Sequence, residues 1–441
     1  MQNTRSVCPV CLRPVPAVLR ERDNITYLEK TCPEHGSFSV PVWHGRIDRD
    51  RWQQGAEPLK EEEGLHCPER CGICREHRKG TCCALLEVTA RCDLNCRFCF
   101  ARGGEAAEPD PSTDALKLAI ACILELGHLP TLQLSGGEPT LRDDLPELIR
   151  YARSLGCPYV QLNTNGLRLA REPDYALRLK EAGLSYVFLQ FDGTDDGIYR
   201  TLRGRELYAL KKDCILNCAR ARLGVTLVPT VVRGVNDKAL GDIVRFGLGH
   251  APTVRGVHFQ PVSYFGRVPA HAPERYTLDE LIADVSGQTG IALKHFMPSR
   301  CDHPLCGFHM SGMVMPDGTL LPLSSEAGNE CESSAAQNRD YIGARWTIGE
   351  GAVDEAALLS ENGSFDLDAF ARRAEEYSFT LSAMAFQDAG DLDIARLRRC
   401  SLHVYKDRRL MPFCAAYLSP LKSDALTGKI CEAEPLPEQH K

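Results

Sequence analysis

Residues 84–100 read ALLEVTARCDLNCRFCF, an apolar run of strand length that leads directly into three closely spaced cysteines. Cys92, Cys96 and Cys99 form a C-x3-C-x2-C pattern, which places three thiolates on one short loop. Iron–sulfur clusters are usually held by four cysteines, so three ligands predict a cubane whose fourth iron can bind a small molecule. A zinc loop, or a cluster completed by a distant ligand, is the alternative interpretation.

Short apolar runs continue along the chain and alternate with amphipathic stretches, which predicts repeated β–α units. Six such repeats predict an α/β fold with a parallel sheet, either an incomplete barrel or a doubly wound sheet. In both architectures ligands bind at the carboxyl ends of the strands. Strands are expected at 84–89, 130–135, 158–163, 185–191, 224–232 and 256–260, and helices at about 113–126, 142–155, 174–183, 206–221 and 236–249.

Polar and glycine-rich motifs follow four of the predicted strands. The second strand ends in SGGEP at 135–139, the third in NTNG at 163–166, the fourth in QFDG at 190–193 and the sixth in HFQP at 258–261. Two glycines allow the backbone to approach a ligand, and Glu138 or nearby carbonyls can accept hydrogen bonds from an ammonium group. Because these motifs recur at successive strand ends, they predict a single binding site.

The cysteine triplet, with Phe98 before its last member, and GGEP at 136–139 resemble the radical S-adenosylmethionine (SAM) superfamily over residues 84–266. The resemblance implies a partial (β/α)6 TIM-like barrel and a [4Fe–4S] cluster at which SAM is reductively cleaved to a 5′-deoxyadenosyl radical. Such a radical removes hydrogen from an unactivated carbon, and carbon–carbon bond formation is expected to follow. The implied electron donor is flavodoxin or ferredoxin, and no side chain is assigned a catalytic role of its own. The implied SAM-binding residues are Phe98, Gly136, Gly137, Glu138, Asn163, Asn165, Asp192, His258 and Gln260.

The flanking segments carry a closer resemblance. Residues 67–82, 231–237 and 400–414 are similar to the group that contains archaeal tetraether lipid synthases and radical SAM methylases of pterin precursors. The resemblance leaves open methylation of a small substrate such as a pterin and coupling of lipid chains. A hydrophobic content of 43% and an aromatic content of 7% give no excess that would mark a lipid tunnel. The C-terminal third also looks shorter than in the coupling enzymes, so methylation is favoured.

The N-terminal cysteines form two knuckles. Cys8-Pro-Val-Cys11 and Cys32-Pro-Glu-His35 are separated by about one hairpin, and three sulfurs with one imidazole suit a tetrahedral ion. Structural zinc is the first interpretation and a rubredoxin-like iron is the second.

Two further cysteine groups predict one or two auxiliary [4Fe–4S] clusters. The first comprises Cys67, Cys71 and Cys74 with Cys82, or alternatively Cys83, as fourth ligand. A zinc site that uses His77 is the alternative for this group. The second comprises Cys301, Cys306, Cys400 and Cys414, with Cys331 as a competing ligand.

Composition limits the class of protein. The 441-residue chain has 21 cysteines, a net charge of −7 and no basic stripe, so nucleic acid is not expected as a partner. No apolar run approaches the roughly 20 residues of a membrane span, and the N-terminus lacks the apolar core of a secretory signal. A cytoplasmic protein without a transmembrane segment is therefore expected. Many cysteines in that compartment indicate metal or redox chemistry.

Together these patterns predict a partial barrel with small cysteine-rich extensions at both ends. The expected divisions are a metal knuckle at 1–45, an auxiliary-cluster segment at 46–83, the radical SAM core at 84–270 and a C-terminal domain at 271–441. An iron–sulfur electron carrier or a zinc-knuckle binding protein would also explain the cysteines. Neither would explain the motifs at the strand ends.

Overall fold

A computed structural model describes residues 2–54, 67–68, 71–105, 109–271, 273–324, 333–349 and 366–421. The N-terminal unit is a four-stranded antiparallel sheet in which strands that follow one another in the chain are neighbours. Its two outer connections carry the predicted metal ligands. The strands are β1 (Gln2–Val7), β2 (Pro14–Arg22), β3 (Ile25–Cys32) and β4 (Gly36–Trp43), and the short helix α1 (Arg49–Trp52) follows them.

The central sheet contains all six expected strands, and they are parallel to one another. They are β5 (Cys83–Thr89), β6 (Thr131–Gly136), β7 (Val160–Thr164), β8 (Tyr186–Gln190), β9 (Gly224–Val228) and β11 (Val254–Pro261), with the two-residue β10 (Thr230–Val231) beside β11. Their spatial order follows the chain order, without the reversal that a doubly wound sheet requires. The incomplete barrel is therefore the correct alternative.

Helices cover the outer face of this sheet. They are α2 (Thr113–Leu126), α3 (Leu145–Ser154), α4 (Leu167–Arg171), α5 (Pro173–Glu181), α6 (Asp196–Arg203), α7 (Tyr208–Arg220) and α8 (Leu240–Leu248). Alternation along each strand sends residues such as Leu132, Leu134 and Leu162 outward into the helix-covered core. The intervening residues face the inside of the barrel. The strand expected at 224–232 is interrupted at Pro229, which has no backbone N–H to donate to a neighbouring strand.

The residues after 270 add strands to both edges of the central sheet. β15 (Ser378–Met384) pairs in parallel with β11, whereas β16 (Leu402–Lys406) pairs in parallel with β5. Short antiparallel strands continue each edge. The C-terminal elements are α9 (Leu278–Thr289), β12 (Met297–Pro298), β13 (Gly307–Val314), β14 (Leu320–Pro322), α10 (Ala335–Trp346), α11 (Leu367–Glu376), β15 (Ser378–Met384), α12 (Ile394–Leu397), β16 (Leu402–Lys406), β17 (Arg409–Pro412) and α13 (Phe413–Ala416).

Side chains join the two edges across the open seam of the barrel. Phe386, just after β15, stacks on Phe413, just after β17, with ring centroids 4.2 Å apart. Asp302, in the segment between β12 and β13, accepts a hydrogen bond from the backbone nitrogen of Ser401 at 2.6 Å. Within the described ranges, the strands at the two edges of the sheet are not hydrogen bonded to each other. Side-chain contacts of the C-terminal part of the chain therefore close the side of the barrel.

Helix α10 lies across the N-terminal ends of the parallel strands. Arg339 donates to the carbonyl of Leu129, just before β6, and Trp346 packs against Tyr186, the first residue of β8. The barrel interior is therefore bounded by α10 at one end and by the cysteine loop at the other. Among the described residues, none of the helices combines the length and apolar character that crossing a membrane requires.

Candidate active site

A cavity of about 580 Å³ runs along the inside of the barrel. Cys92, Cys96 and Cys99 line it at the carboxyl ends of the strands, and α10 lines it at the opposite end. Its volume lies within the range of small-molecule sites. The three thiols face one open space that can hold a cluster and a ligand on it, so these residues fit the SAM-binding [4Fe–4S] centre that the sequence predicts.

Contacts from two distant segments and from the chain just after it hold the cysteine loop in place. Asn165, after β7, donates to Asp93 at 2.7 Å, and the backbone groups of Cys99 and Arg267 exchange hydrogen bonds of 2.9 and 3.1 Å. The backbone nitrogen of Gly103 lies 3.4 Å from the sulfur of Cys99. Burial raises the pKa of Cys92 to about 12. A bound cluster would therefore have to supply the positive charge that keeps this thiolate deprotonated.

Gly136 and Gly137 pack directly against the chain that enters the cysteine loop. A Cβ atom on Gly137 would lie 2.1 Å from the carbonyl oxygen of Arg91, and one on Gly136 would lie 2.3 Å from that of Thr89. Gly136 also has a φ of +122°. These glycines line the cavity, as expected of SAM-binding residues, but they are also needed to position the cysteine loop.

Glu138 links the ends of the second and third parallel strands. Its carboxylate accepts hydrogen bonds from Thr140, from the hydroxyl of Thr164 at 2.7 Å and from the backbone nitrogen of Asn165 at 2.7 Å. The side chain is 1% exposed, and burial raises its pKa. We expected this carboxylate to bind an ammonium group. In the structure, it instead accepts four hydrogen bonds from protein donors.

Asp192 lies behind the cavity wall and does not line the cavity. Both of its oxygens accept hydrogen bonds from Arg203, at 2.6 and 2.7 Å, and Asp192 is completely buried. Arg203 does line the cavity. Gln190, at the end of β8, also lines it, and its amide lies 3.8 Å from the sulfur of Cys96. Asp192 therefore positions Arg203, and this placement does not support the expected contact between Asp192 and SAM.

The other five residues that were expected to bind SAM all line the cavity. Phe98, Asn163, Asn165, His258 and Gln260 all do so. The Nδ1 atom of His258 is 2.9 Å from the hydroxyl of Ser382. Burial lowers the pKa of His258 to about 4. The imidazole is consequently uncharged at neutral pH.

The N-terminal ligands form a compact tetrahedral set. The sulfurs of Cys11 and Cys32 are 4.0 Å apart, and His35 Nδ1 lies 3.6 Å from the sulfur of Cys8 and 3.5 Å from that of Cys32. Metal–sulfur bonds of ~2.3 Å and metal–nitrogen bonds of ~2.0–2.1 Å around one tetrahedral ion place ligand atoms about 3.5–3.8 Å apart. The four side chains therefore fit one ion, with Nδ1 as the imidazole ligand.

The auxiliary cysteines meet in an arrangement that their order in the chain does not suggest. Cys82 lies against Cys301, and a hydrogen bond between their thiols raises the pKa of Cys301. Cys83, the alternative to Cys82, faces the cavity and donates to the side-chain oxygen of Gln133 at 3.2 Å. The two predicted groups therefore touch each other.

The other auxiliary cysteines also come together from distant segments. Cys67 and Cys71 are hydrogen bonded through their thiols, and Cys71 shares a buried cluster with Cys414. The pKa of Cys400 is raised by burial and, to a smaller extent, by the charges of Asp302, Cys414 and Cys306.

Three further predicted ligands differ in their placement. Cys74 is exposed, and Cys331 lies outside the described residues. His77, the alternative zinc ligand, lies 2.7 Å from the carbonyl oxygen of Cys400 and 3.2 Å from His403.

The sequence analysis missed several residues of the cavity wall. Gln133 and Gln161 face inward from β6 and β7, where Gln161 donates to the side-chain oxygen of Asn163 at 2.8 Å. A polar residue at every second position of TLQLS and VQLNT was the available signal. Arg203 and the inner face of α10 had no local signal, because only the assembled barrel brings them to the cavity.

Family models match two parts of the chain. A family model described as the radical SAM superfamily matches residues 86–247, and one described as the HMPTM N-terminal zinc ribbon domain matches residues 1–44. The crystal structure of Streptococcus suis SuiB bound to S-adenosylmethionine is 13% identical, with 45% of this chain and 44% of that chain covered and a TM-score of 0.38.

Curated relatives cover more of the chain. The GTP 3′,8-cyclase of Limosilactobacillus fermentum is 26% identical over 58% of this chain and 76% of its own. The 7,8-dihydro-6-hydroxymethylpterin dimethyltransferase of Methanocaldococcus jannaschii is 33% identical over 94% of this chain and 92% of its own. This near-complete likeness confirms the resemblance seen in the sequence, and the chain belongs to the radical SAM superfamily.

Proposed function

We propose that this radical SAM enzyme methylates a small polar heterocycle of the pterin type. The observation that carries the proposal is the amide wall, formed by the inward-facing side chains of Gln133, Gln161 and Asn163 on β6 and β7. The M. jannaschii relative, which is named as a pterin dimethyltransferase, supports the same substrate class. When bound, the cluster and SAM would supply the 5′-deoxyadenosyl radical, so the chain itself has to orient the substrate and exclude water.

The amide wall suits the edge of a pterin ring. Amide groups both donate and accept hydrogen bonds, and the pyrimidinone edge of a pterin presents donors and acceptors side by side. Phe188 and Met310 also line the cavity and offer apolar surface to the faces of a flat ring. A hydrocarbon chain would leave unpaired those donors and acceptors of the buried amides that the protein does not satisfy, at a cost of about 1–3 kcal/mol for each group. This contrast favours methylation over the coupling of lipid chains.

The proposal includes the metal centres that the cysteines suggest. Cys92, Cys96 and Cys99 would hold the SAM-binding cluster, and the N-terminal set would hold zinc. The thiols of Cys82, Cys301, Cys306, Cys400 and Cys414, with those of Cys67 and Cys71, would hold auxiliary clusters. Flavodoxin or ferredoxin is the proposed reductant.

The test is a reaction of the anaerobically reconstituted, reduced enzyme with 7,8-dihydro-6-hydroxymethylpterin and excess SAM, run with and without a methylene-bearing reduced folate. The SAM that is cleaved to the radical keeps its methyl group on methionine, so a second SAM or the folate has to supply the transferred carbon. Mass spectrometry should detect 5′-deoxyadenosine together with a pterin product heavier by one or two methyl groups. Replacement of Cys92, Cys96 and Cys99 together by Ala should abolish both products and leave the other metal centres in place. Formation of 5′-deoxyadenosine without pterin methylation would contradict the substrate class, and normal SAM cleavage by the triple variant would contradict the cluster assignment.

A further inference from the structure

The end of the cavity opposite the cysteine loop is built by helix α10. Asn338, Tyr341, Ile342 and Arg345 recur at helical spacing on the face of α10 that lines the cavity. Tyr341 is 39% exposed, so this end of the cavity reaches the protein surface. Along β6, the four residue-to-residue steps from Thr131 to Ser135 separate the two ends by about 13 Å, at ~3.3 Å per step.

Three arginines surround this end: Arg300, Arg339 and Arg345 all line the cavity. Arg339 is paired with Asp340 at 2.8 Å. The guanidinium of Arg345 stacks at 3.7 Å over the ring of Tyr341, and among the described residues it has no carboxylate partner. Stacking fixes the plane of a guanidinium while its N–H groups stay available to a ligand.

Neutral hydrogen-bonding groups stand beside these cations. The hydroxyls of Tyr341 and Ser311 are 2.7 Å apart. Burial, together with the charges of Arg300 and Arg345, lowers the pKa of His309 to about 4, so its ring is uncharged at neutral pH. The carboxylate that lines this region, Asp302, is buried and accepts hydrogen bonds from Ser401. Among the described residues that line this end of the cavity, the arginines therefore outnumber the carboxylates, in a chain whose net charge is −7.

We propose that this arginine-lined end of the cavity binds an anionic group, a carboxylate or a phosphate. Arginine forks pair with such groups through two parallel hydrogen bonds. This inference rests on the proposed function, because it places the reacting ring beside the cysteine loop and the anion beside Arg345. The anion belongs either to the methylated substrate itself or to a second small molecule in the same cavity.

The test compares two ligands by calorimetry without added reductant: 6-hydroxymethyl-7,8-dihydropterin and its phosphate ester. The ester should bind at least about tenfold more tightly to the unchanged protein, as expected for a charge-assisted hydrogen bond. Arg345→Met should remove this advantage. Arg178→Met, which changes an arginine paired with Glu172 on the outer helix α5, should retain it.

Inorganic phosphate serves as the second probe. Binding of phosphate that depends on Arg345, without any advantage for the ester, would support the anion site and assign it to a separate molecule. If neither probe binds in a manner that depends on Arg345, the inference is wrong. Circular dichroism and 5′-deoxyadenosine formation in Arg345→Met distinguish this outcome from misfolding or from failure of the radical chemistry.

Discussion

Asp302 accepts hydrogen bonds from both the backbone nitrogen and the hydroxyl of Ser401, at 2.6 and 3.1 Å, although 99 residues separate them. The contact joins the two edges of the open barrel. It also brings Cys301, the neighbour of Asp302, against Cys82, whose backbone nitrogen donates to the carbonyl of Ser401 at 2.9 Å. This buried carboxylate thus helps to join the two edges and holds the segments that carry Cys301 and Cys82 together.

Asp302→Ala should therefore disturb an auxiliary centre. Without its acceptor oxygen, the segment that carries Cys301 is no longer held against Ser401, and about four irons per chain should be lost after reconstitution. Iron and sulfide analysis measures this change. Asp242→Ala, at an exposed position where the carboxylate pairs with Arg245, is the matched control and should keep the full iron content. Equal iron in the two variants would show that the Asp302 contact does not support a cluster.

His35→Ala tests the N-terminal centre. Removal of the Nδ1 ligand leaves three sulfurs of the tetrahedral set, so the variant should bind less zinc by about one equivalent per chain and keep its iron. Metal analysis by mass spectrometry reports both elements, and His271→Ala at an exposed position is the control. Loss of one iron in place of zinc would favour the rubredoxin-like alternative.

The local signals of the sequence were sufficient for the barrel core. Each parallel strand is a short apolar run, and motifs such as GGEP follow directly in the chain, so adjacent residues carried the information. The seam contact between Asp302 and Ser401 has no such signal. Ser401 directly precedes β16, and β16 pairs with β5 only after more than 300 residues of intervening chain. For the same reason the grouping of Cys82 with Cys301 could not be predicted from spacing.

Asp192 shows a different limit of prediction from sequence. Its position in QFDG at the end of β8 made it a candidate ligand, but the side chain turns away from the cavity toward Arg203 on α6. A strand-end position fixes where the backbone lies. Only packing against the following helix decides which way the side chain points.

Arg203→Met should destabilise the fold strongly. The side chains of Arg203 and Asp192 are 3% and 0% exposed, and removal of one member of such a pair costs about 3–5 kcal/mol because a buried charge is left uncompensated. On the same helix, Arg200 pairs with Glu206 at the surface, where side-chain exposures are 57% and 66%. Arg200→Met should cost at most about 1 kcal/mol. Thermal unfolding of the reconstituted variants compares them, and equal midpoints would contradict the role of the buried pair.

Gly137→Ala should impair assembly of the SAM-binding cluster as well as SAM affinity. The new methyl group would lie 2.1 Å from the carbonyl oxygen of Arg91, so the chain that leads into Cys92 has to move. The absorbance of the cluster at the cysteine loop should therefore fall. Gly287→Ala in α9, where a Cβ meets no atom within 4 Å, is the control and should leave the absorbance unchanged. An unchanged cluster with weakened SAM binding would instead limit the role of Gly137 to the ligand.

Gln161→Leu tests the amide wall directly. Leucine has a similar volume, but it removes the hydrogen bond to Asn163 and any contact with the polar edge of the substrate. A pterin that enters the cavity should then bind beside unpaired polar groups, so kcat/KM for methylation should fall by about tenfold to a hundredfold. Formation of 5′-deoxyadenosine without substrate should stay near its original rate, because the side chain is not a ligand of the cluster. Gln54→Leu, at an exposed position after α1, should change neither rate. If Gln161→Leu methylates the pterin normally, the polar edge of the ring must lie elsewhere in the cavity.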